Sequence, residues 1–309
     1  MEIYLPIAEM PVNALLILAL GAAVGFLSGM FGVGGGFLMT PFLIFTGIPH
    51  DVAVATPLSH IVASSVSGAL THWRRKTIDF KMGGILIAGG LFGAVVGLLA
   101  FSAIRKAGQI DTVISVSYVL FLGTIGALML NESLRAMRAA REGGSAPARR
   151  SGQHSWVLGL PLKMRFRKSK LYISAIPPVV LGIFVGLLTA FLGVGGGFIL
   201  VPAMIYILRM PTNVVVGTSM FQILASASLT VFLHAINTQT VDPLLAILLI
   251  IGGVFGVQFG VRFGQRLRGE QLRFLLAALV LGVALRLFVD LVIPPGTTDL
   301  YSITADILK

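Results

Sequence analysis

The chain has 309 residues, a formal net charge of +11 and no cysteine; 56% of it is hydrophobic and only 11% charged. Soluble domains carry about 25% charged residues. Several apolar runs here exceed the ~18 residues that mark a membrane-crossing helix, so a water-soluble globule is excluded and an integral membrane protein is expected. Without cysteine there is no disulfide framework, thiol nucleophile or cysteine-built zinc site.

The chain begins MEIYLPIAEMPVNALLILAL, with Glu2 and Glu9 and no Lys or Arg. A secretory signal needs a positive start, so the stretch reads as the first helix of the mature chain, its apolar part at about 11–31. Apolar segments follow at about 36–48, 52–72, 82–104 and 112–131. After a polar, basic stretch come segments at about 173–192, 197–208, 214–236, 243–263 and 271–292. The second and seventh are short for a ~30 Å hydrocarbon core. Segments 1 and 2 fit two full crossings or a re-entrant hairpin equally well. The expected organisation is a first transmembrane repeat (1–131), a basic cytoplasmic loop (132–171), a second transmembrane repeat (172–293) and a short extracytoplasmic tail (294–309).

The basic residues orient this layout. Ten lie in the central loop, Arg74, Arg75, Lys76 and Lys81 follow the third segment, and Arg262, Arg266, Arg268 and Arg273 surround the last turn. Cytoplasmic loops carry excess Lys and Arg. Ten segments starting from an outside N-terminus place all three clusters inside, with both termini extracytoplasmic in a multi-pass inner (cytoplasmic) membrane protein. The charge is then a topology signal, and the loop lacks the interleaved aromatics of a nucleic-acid surface; no nucleic-acid partner is expected, and the lipid bilayer is.

The two halves resemble each other. Gly25–Pro41, which contains FGVGGGF, matches Gly186–Pro202, which contains LGVGGGF, without a gap. DVAVATPLSHIVAS (51–64) then aligns with NVVVGTSMFQILAS (213–226), pairing Thr56 with Thr218, His60 with Gln222, Ser64 with Ser226 and, further on, His72 with His234. GGLFGAVVG (89–97) aligns with GGVFGVQFG (252–260). Five segments per half is odd, so the halves should lie inverted in the bilayer. Inverted repeats with interrupted helices mark secondary transporters, with a site at the midplane. The fold class expected is an all-α polytopic membrane protein with two inverted repeats of about five hydrophobic segments, each broken by glycines or folded as a re-entrant hairpin.

The paired GVGGGF…P motifs, the Thr56–Ser64 and Thr218–Ser226 segments and the two-half layout resemble the TauE/SafE family of sulfite exporters and related permeases, over nearly the whole chain outside 132–171. The resemblance implies transport of sulfite, an organosulfonate or a similar small oxyanion by alternating access, with the substrate varying among members. An anion channel, or a permease for another small anion or an organic acid, is the alternative. Coupling to a proton or another ion, and assembly as a homo-oligomer, are compatible with such a carrier.

A small oxyanion is best held by N–H and O–H donors. Gly32, Gly34, Gly35 and Gly36, and Gly193, Gly195, Gly196 and Gly197, have no side chain to keep backbone from a ligand and accept positive φ. A helix beginning at Phe37 or Phe198 would aim its free N–H groups at the loop. The alternative for the clusters is a tight turn or close packing. Neither cluster fits a nucleotide loop, because Phe37 and Phe198 stand where GxGxxG needs its last glycine and no Lys-Ser/Thr follows. The fourfold spacing of Gly21, Gly25 and Gly29, and of Gly252, Gly256, Gly260 and Gly264, is the small-xxx-small pattern of packed membrane helices.

Thr56, Ser59 and His60 in one half and Thr218, Ser219 and Gln222 in the other supply donors near these loops; mid-helix hydroxyls also bond back to their own turn. His60 falls deep in a span, where ionisable groups suggest function. It could add positive charge, carry a coupled proton from an unperturbed pKa of ~6.5, or sit neutral between helices. His72 and His234 read as interfacial. Arg286 and Asp290 are placed to pair at i, i+4, or Arg286 to face substrate. Asp51, Asp79, Asp111 and Asp242 fall at span ends and suit capping. No HExxH, paired buried carboxylates or metal-ligand cluster appears, so neither an enzyme, a metal site nor a cofactor is expected.

Overall fold

The computed structural model describes residues 2–31, 36–141, 161–166, 168–169, 171–264 and 269–292. The protein is a helical membrane protein. Six described helical stretches are long and apolar enough to cross a bilayer, and four shorter apolar helices accompany them.

Two elements depart from expectation. The chain does not start as a helix: β1 (Glu2–Leu5) and β2 (Met10–Asn13) form an antiparallel hairpin, with Tyr4 opposite Pro11. Proline at residue 11 cannot donate to an i−4 carbonyl, which sets the helix start after it, at Ala14. The end of the basic stretch is also ordered, as a second hairpin of β3 (Lys163–Phe166) and β4 (Leu171–Ser174). Both hairpins immediately precede the first helix of a half.

After the first hairpin run α1 (Ala14–Phe31), α2 (Gly36–Phe45), α3 (His50–Ala55), α4 (Pro57–Arg74), α5 (Phe80–Lys106) and α6 (Ile110–Arg141). After the second run α7 (Ile176–Leu192), α8 (Gly197–Tyr206), α9 (Thr212–Leu233) with a π-turn at His234–Thr238, α10 (Pro243–Gly264) and α11 (Gly269–Val292). At ~1.5 Å per residue, the ten-residue α2 and α8 reach only about half-way across the hydrocarbon. Pro57 lacks the N–H that would join α3 to α4, so the third segment breaks at Thr56.

Packing joins the halves by exchange. The main partner of α1 is α10, and that of α5 is α7. The glycine stripes explain why. A Cβ on Gly25 would strike the backbone of Gly253, and one on Gly256 the backbone of Ala22. The same holds for Gly93 against Ile183 and Gly186 against Gly90. Gly21, Gly25 and Gly29 face Leu249, Gly253 and Val257 in rising order, so α1 and α10 run parallel. The matching helices α4 and α9 pack on each other, with Gly68 at Met220 and Gly217 at His72, and run antiparallel. The last helices, α6 and α11, also pair.

The span ends are tied by carboxylates. Asp242 accepts from Leu244 N and Leu245 N at the start of α10 and from Ile7 N in the first hairpin. Asp79 accepts from Met82 N of α5 and from Ser169 N and Oγ in the second hairpin. Asp51 pairs with Arg105 (3.0 Å) and His50 with Asp111 (3.1 Å). Arg286 pairs with Asp290 at 3.5 Å, as the spacing suggested.

Replacing Gly93 by Leu should strain the α5–α7 contact at the upper end of the ~1–3 kcal/mol typical of overpacking. It should lower the thermal unfolding midpoint in detergent, read by fluorescence-detected size exclusion. Gly84→Leu on the same helix, where a Cβ meets nothing within 4 Å, should leave the midpoint unchanged. Equal stability of the two variants would refute this account of the interface.

Candidate functional site

The two glycine motifs converge. Gly32, Gly34 and Gly35 lie outside the described residues, but Gly36 opens α2, and a Cβ on it would lie 2.8 Å from the Val194 carbonyl in the second loop. One residue on, Phe37 and Phe198 stack with ring centroids 4.4 Å apart. Each half-helix starts one residue earlier than the sequence suggested, at the last glycine of its motif.

The second loop is built on left-handed backbone. Gly193, Gly195 and Gly196 have φ of +69°, +75° and +71°, a region closed to most side chains and free to glycine. Gly197 N donates to Gly195 O, and Ile199 N and Leu200 N to Gly196 O. The N–H groups of Val194, Gly195, Gly196 and Phe198 have no backbone acceptor among the described residues. Successive N–H groups in turns of this kind make concavities for anions, here at the positive end of α8.

A cavity of about 540 Å³ opens beside the loop. Of the sequence-proposed residues, Gly36, His60, Gly195, Gly197 and Ser219 line it. Ser64 lines it too, although its hydroxyl donates back to Ile61 O, as that of Ser219 does to Val216 O. The cavity follows the ends of α1, α4 and α10, past Ser28, Thr71, His72 and Val261. It therefore lies toward the end of the protein that carries Arg74, Arg75, Lys76 and Arg262. Gln258 is a wall residue that the repeat alone did not single out; the signal was a lone amide in α10, whose other polar side chain, Arg262, lies in the last turn.

His60 stands where α4 meets α10. A Cβ on Gly253 would overlap its Nε2, so the glycine makes room for the ring. Its Nδ1 is buried and has no hydrogen-bond partner among the described residues. Its repeat counterpart Gln222 is placed alike, against Gly90 of α5. Gln222 Nε2 donates to Ser226 Oγ at 2.9 Å, and Oε1 is buried without a partner among the described residues. Gln222 does not line the cavity, and neither do Ser59, Gly193 and Gly196.

Thr56 and Thr218 stand elsewhere, in reciprocal bonds between the halves. Thr56 Oγ1 accepts from Asp242 N at 3.1 Å, and Thr218 Oγ1 accepts from Asp79 N at 3.1 Å. Each hydroxyl closes the start of a helix from the other half. His72 is half-buried and meets Thr77 Oγ1 at 2.9 Å. His234 is not interfacial: it is fully buried, with Nε2 at 3.0 Å from Ala190 O and Nδ1 at 3.1 Å from Thr238 Oγ1. The apolar length of α9 hid this, because the π-turn continues the span beyond its expected end.

Thr218→Val leaves the buried Asp79 N–H without its acceptor, a loss of about 1–3 kcal/mol. A lowered unfolding midpoint with an unchanged thermal shift on adding sulfite is expected from this placement. A diminished shift at unchanged stability would return Thr218 to the binding site.

The family description "Sulfite exporter TauE/SafE" matches residues 17–287. A probable membrane transporter protein of Bacillus subtilis, YjnA, is 31% identical over 277 residues, covering 88% of this chain and 98% of its own. A probable membrane transporter protein of Xylella fastidiosa is 29% identical, covering 76% of this chain and 79% of its own. The archaeal protein MJ0441 of Methanocaldococcus jannaschii, also described as a probable membrane transporter, is 25% identical over 87% of this chain and 92% of its own. No solved structure matches the chain.

Proposed function

The chain belongs to the sulfite exporter TauE/SafE family of membrane transporters, and we propose that it is a secondary transporter of a small sulfur oxyanion, sulfite or an organosulfonate. The anion binds between the two glycine motifs, held by backbone N–H groups of the Gly193–Gly197 loop and the start of α8, with His60 beside it. The observation that carries this reading is the meeting of Gly36, Gly195, Gly197 and His60 around one cavity. A divalent oxyanion offers acceptors on all sides, and on this wall the N–H groups of Val194 and Gly195 have no backbone acceptor among the described residues.

The antiparallel packing of α4 on α9 and the exchange of α1 and α5 between halves support inverted repeats. So do the reciprocal Thr56–Asp242 and Thr218–Asp79 bonds. Such symmetry gives two arrangements of similar energy facing opposite sides, the requirement for alternating access. The basic end, toward which the cavity runs, is the cytoplasmic side on the positive-inside rule. The cavity stays on one side of the protein, which favours a carrier over a channel. His60 is the group suited to move a proton with the anion, since its Nδ1 has no hydrogen-bond partner among the described residues.

Purified protein in liposomes should show saturable sulfite flux. Gly195→Leu forces a side chain onto φ +75° and into Ile61 and should reduce that flux at least tenfold while the protein remains inserted and monodisperse. Normal flux would sink the site assignment. His60→Gln should keep measurable flux but remove its response to an imposed pH gradient. Unchanged coupling would take the proton away from His60.

A further inference from the structure

The repeat sets up a comparison between the open cavity and its counterpart in the other half. In the open half, Ser64, Gly68 and His72 of α4 face the cavity beside Ser28 and Gly29 of α1. Their sequence counterparts are Ser226, Thr230 and His234, beside Thr189 and Ala190 of α7. All four of these polar side chains are buried, at 0–2% exposure. Ser226 and Thr230 follow Gln222 along one face of α9, with His234 next in the π-turn and Thr189 on the adjacent α7; among the described residues Gln222 Oε1 is buried without a partner. A polar row inside a membrane span is costly unless it faces a path or a partner. Thr189 and Thr230 bond only their own turns.

The two histidines show what separates the halves. Each has its Nδ1 at hydrogen-bond distance from a threonine that also donates to the histidine's own carbonyl, His72 with Thr77 and His234 with Thr238. Among the described residues, His234 alone of the two also uses its Nε2, which meets the carbonyl of Ala190 on α7 at 3.0 Å. Phe101 packs edge-on against its ring at 4.8 Å. Thr238 also lines a polar vestibule of about 680 Å³, together with Arg105, Asn237, Gln239 and the carboxylate-bearing Glu9. Arg105 donates to Thr238 O at 2.6 Å and pairs with Asp51. One layer, His234 bonded across to α7, thus stands between the vestibule and the buried polar row.

We propose that the buried face of Gln222, Ser226, Thr230 and Thr189 is a second anion path, the counterpart of the open cavity, and that His234 is the latch that closes it toward the Arg105 vestibule. This rests on the carrier reading above and deepens it. The structure is the state open at the basic end. In the alternate state His234 releases Ala190 and becomes the match of His72, while the α1–α4 side closes. The vestibule then receives the same small oxyanions from the opposite side of the membrane.

The chain contains no cysteine, so Ser64→Cys and Ser226→Cys report on matched positions without background. Full-length protein in membrane vesicles of known sidedness is treated with a membrane-impermeant, negatively charged methanethiosulfonate. Ser64→Cys should react rapidly from the basic side, and Ser226→Cys slowly from either side. Adding His234→Ala should raise the Ser226→Cys rate from the vestibule side about tenfold and lower the Ser64→Cys rate from the basic side. Thr238→Val, which removes the other partner of His234, is an independent opener and should act in the same direction. His234→Gln, which keeps a donor for Ala190, should restore slow reaction. Fast reaction of Ser226→Cys in the parent protein, reaction from the basic side, or no change under both openers overturns the proposal. None of these rates requires a known substrate. A protein that alternates but does not carry sulfite fails the flux assay and passes this one; one that carries sulfite through a fixed path does the reverse.

Discussion

Where α1 meets α10, and where α5 meets α7, no side chain separates the backbones. In lipid the hydrophobic effect gives helices little reason to associate, since the tails are as apolar as leucine. Association must come from close packing, and close packing needs helices whose facing positions are bare. The stripes at Gly21, Gly25, Gly252 and Gly256, and at Gly89, Gly93, Gly182 and Gly186, provide this on both sides of each contact. Each contact takes one helix from each half, so neither half can form its tightest interface without the other. The position of α4 against α9 between them follows, and with it the position of His60 at Gly253 and of Gln222 at Gly90.

A broken helix inside a membrane raises a second constraint, because exposed backbone polar groups cost several kcal/mol each in hydrocarbon. The protein meets it differently at the span ends and at the glycine break. At the span ends the donors are satisfied by side chains: Asp79 caps α5 and Asp242 caps α10 within their own halves, and Thr218 and Thr56 accept the Asp79 and Asp242 N–H groups from the other half. At the glycine break, satisfaction is incomplete. The loop between α7 and α8 uses its own carbonyls for the N–H groups of Gly197, Ile199 and Leu200 and leaves those before and between them without backbone acceptors among the described residues. The contrast is informative. Side chains cap the starts of α5 and α10, whereas the N–H groups of Val194 and Gly195 face the cavity without a backbone acceptor among the described residues, and there a ligand belongs in the proposed cycle.

Much of this was legible in the sequence, for reasons that are themselves physical. Apolar runs mark spans because charge is excluded from lipid, and nine of the ten expected segments begin and end within a few residues of the observed helices. Glycine at fourfold spacing marked the packed faces. The glycine motifs were visible as breaks because glycine has no other use at such density in an apolar helix. What escaped were the features set by tertiary contact alone. The hairpins are four-residue strands whose turns dock on Asp242 and Asp79 of the opposite half, and nothing local announces them. Thr56 and Thr218 looked like ligand donors because they recur with His60 and Gln222, yet a hydroxyl that caps a helix from the other half recurs under the same repeat. Repetition identifies matched positions; it does not separate matched binding from matched scaffolding.

The departures from the repeat carry the remaining information. Most matched pairs keep their chemistry: Ser64 and Ser226, His72 and His234, Asp79 and Asp242. His60 and Gln222 do not. Both project from the middle of a span into a gap made by a glycine of a packed helix, so the scaffold treats them alike and the difference lies in what they can do. An amide has a fixed donor and acceptor and spends its donor on Ser226. An imidazole can exchange roles between its nitrogens and change charge. A symmetric pair of histidines would place two titratable groups at the same depth, each loaded and unloaded with the other. One histidine and one amide confine any protonation to the side of the site that α4 presents, while the amide preserves polarity on the other. The two positions thus share a scaffold and differ in whether the side chain there can change charge.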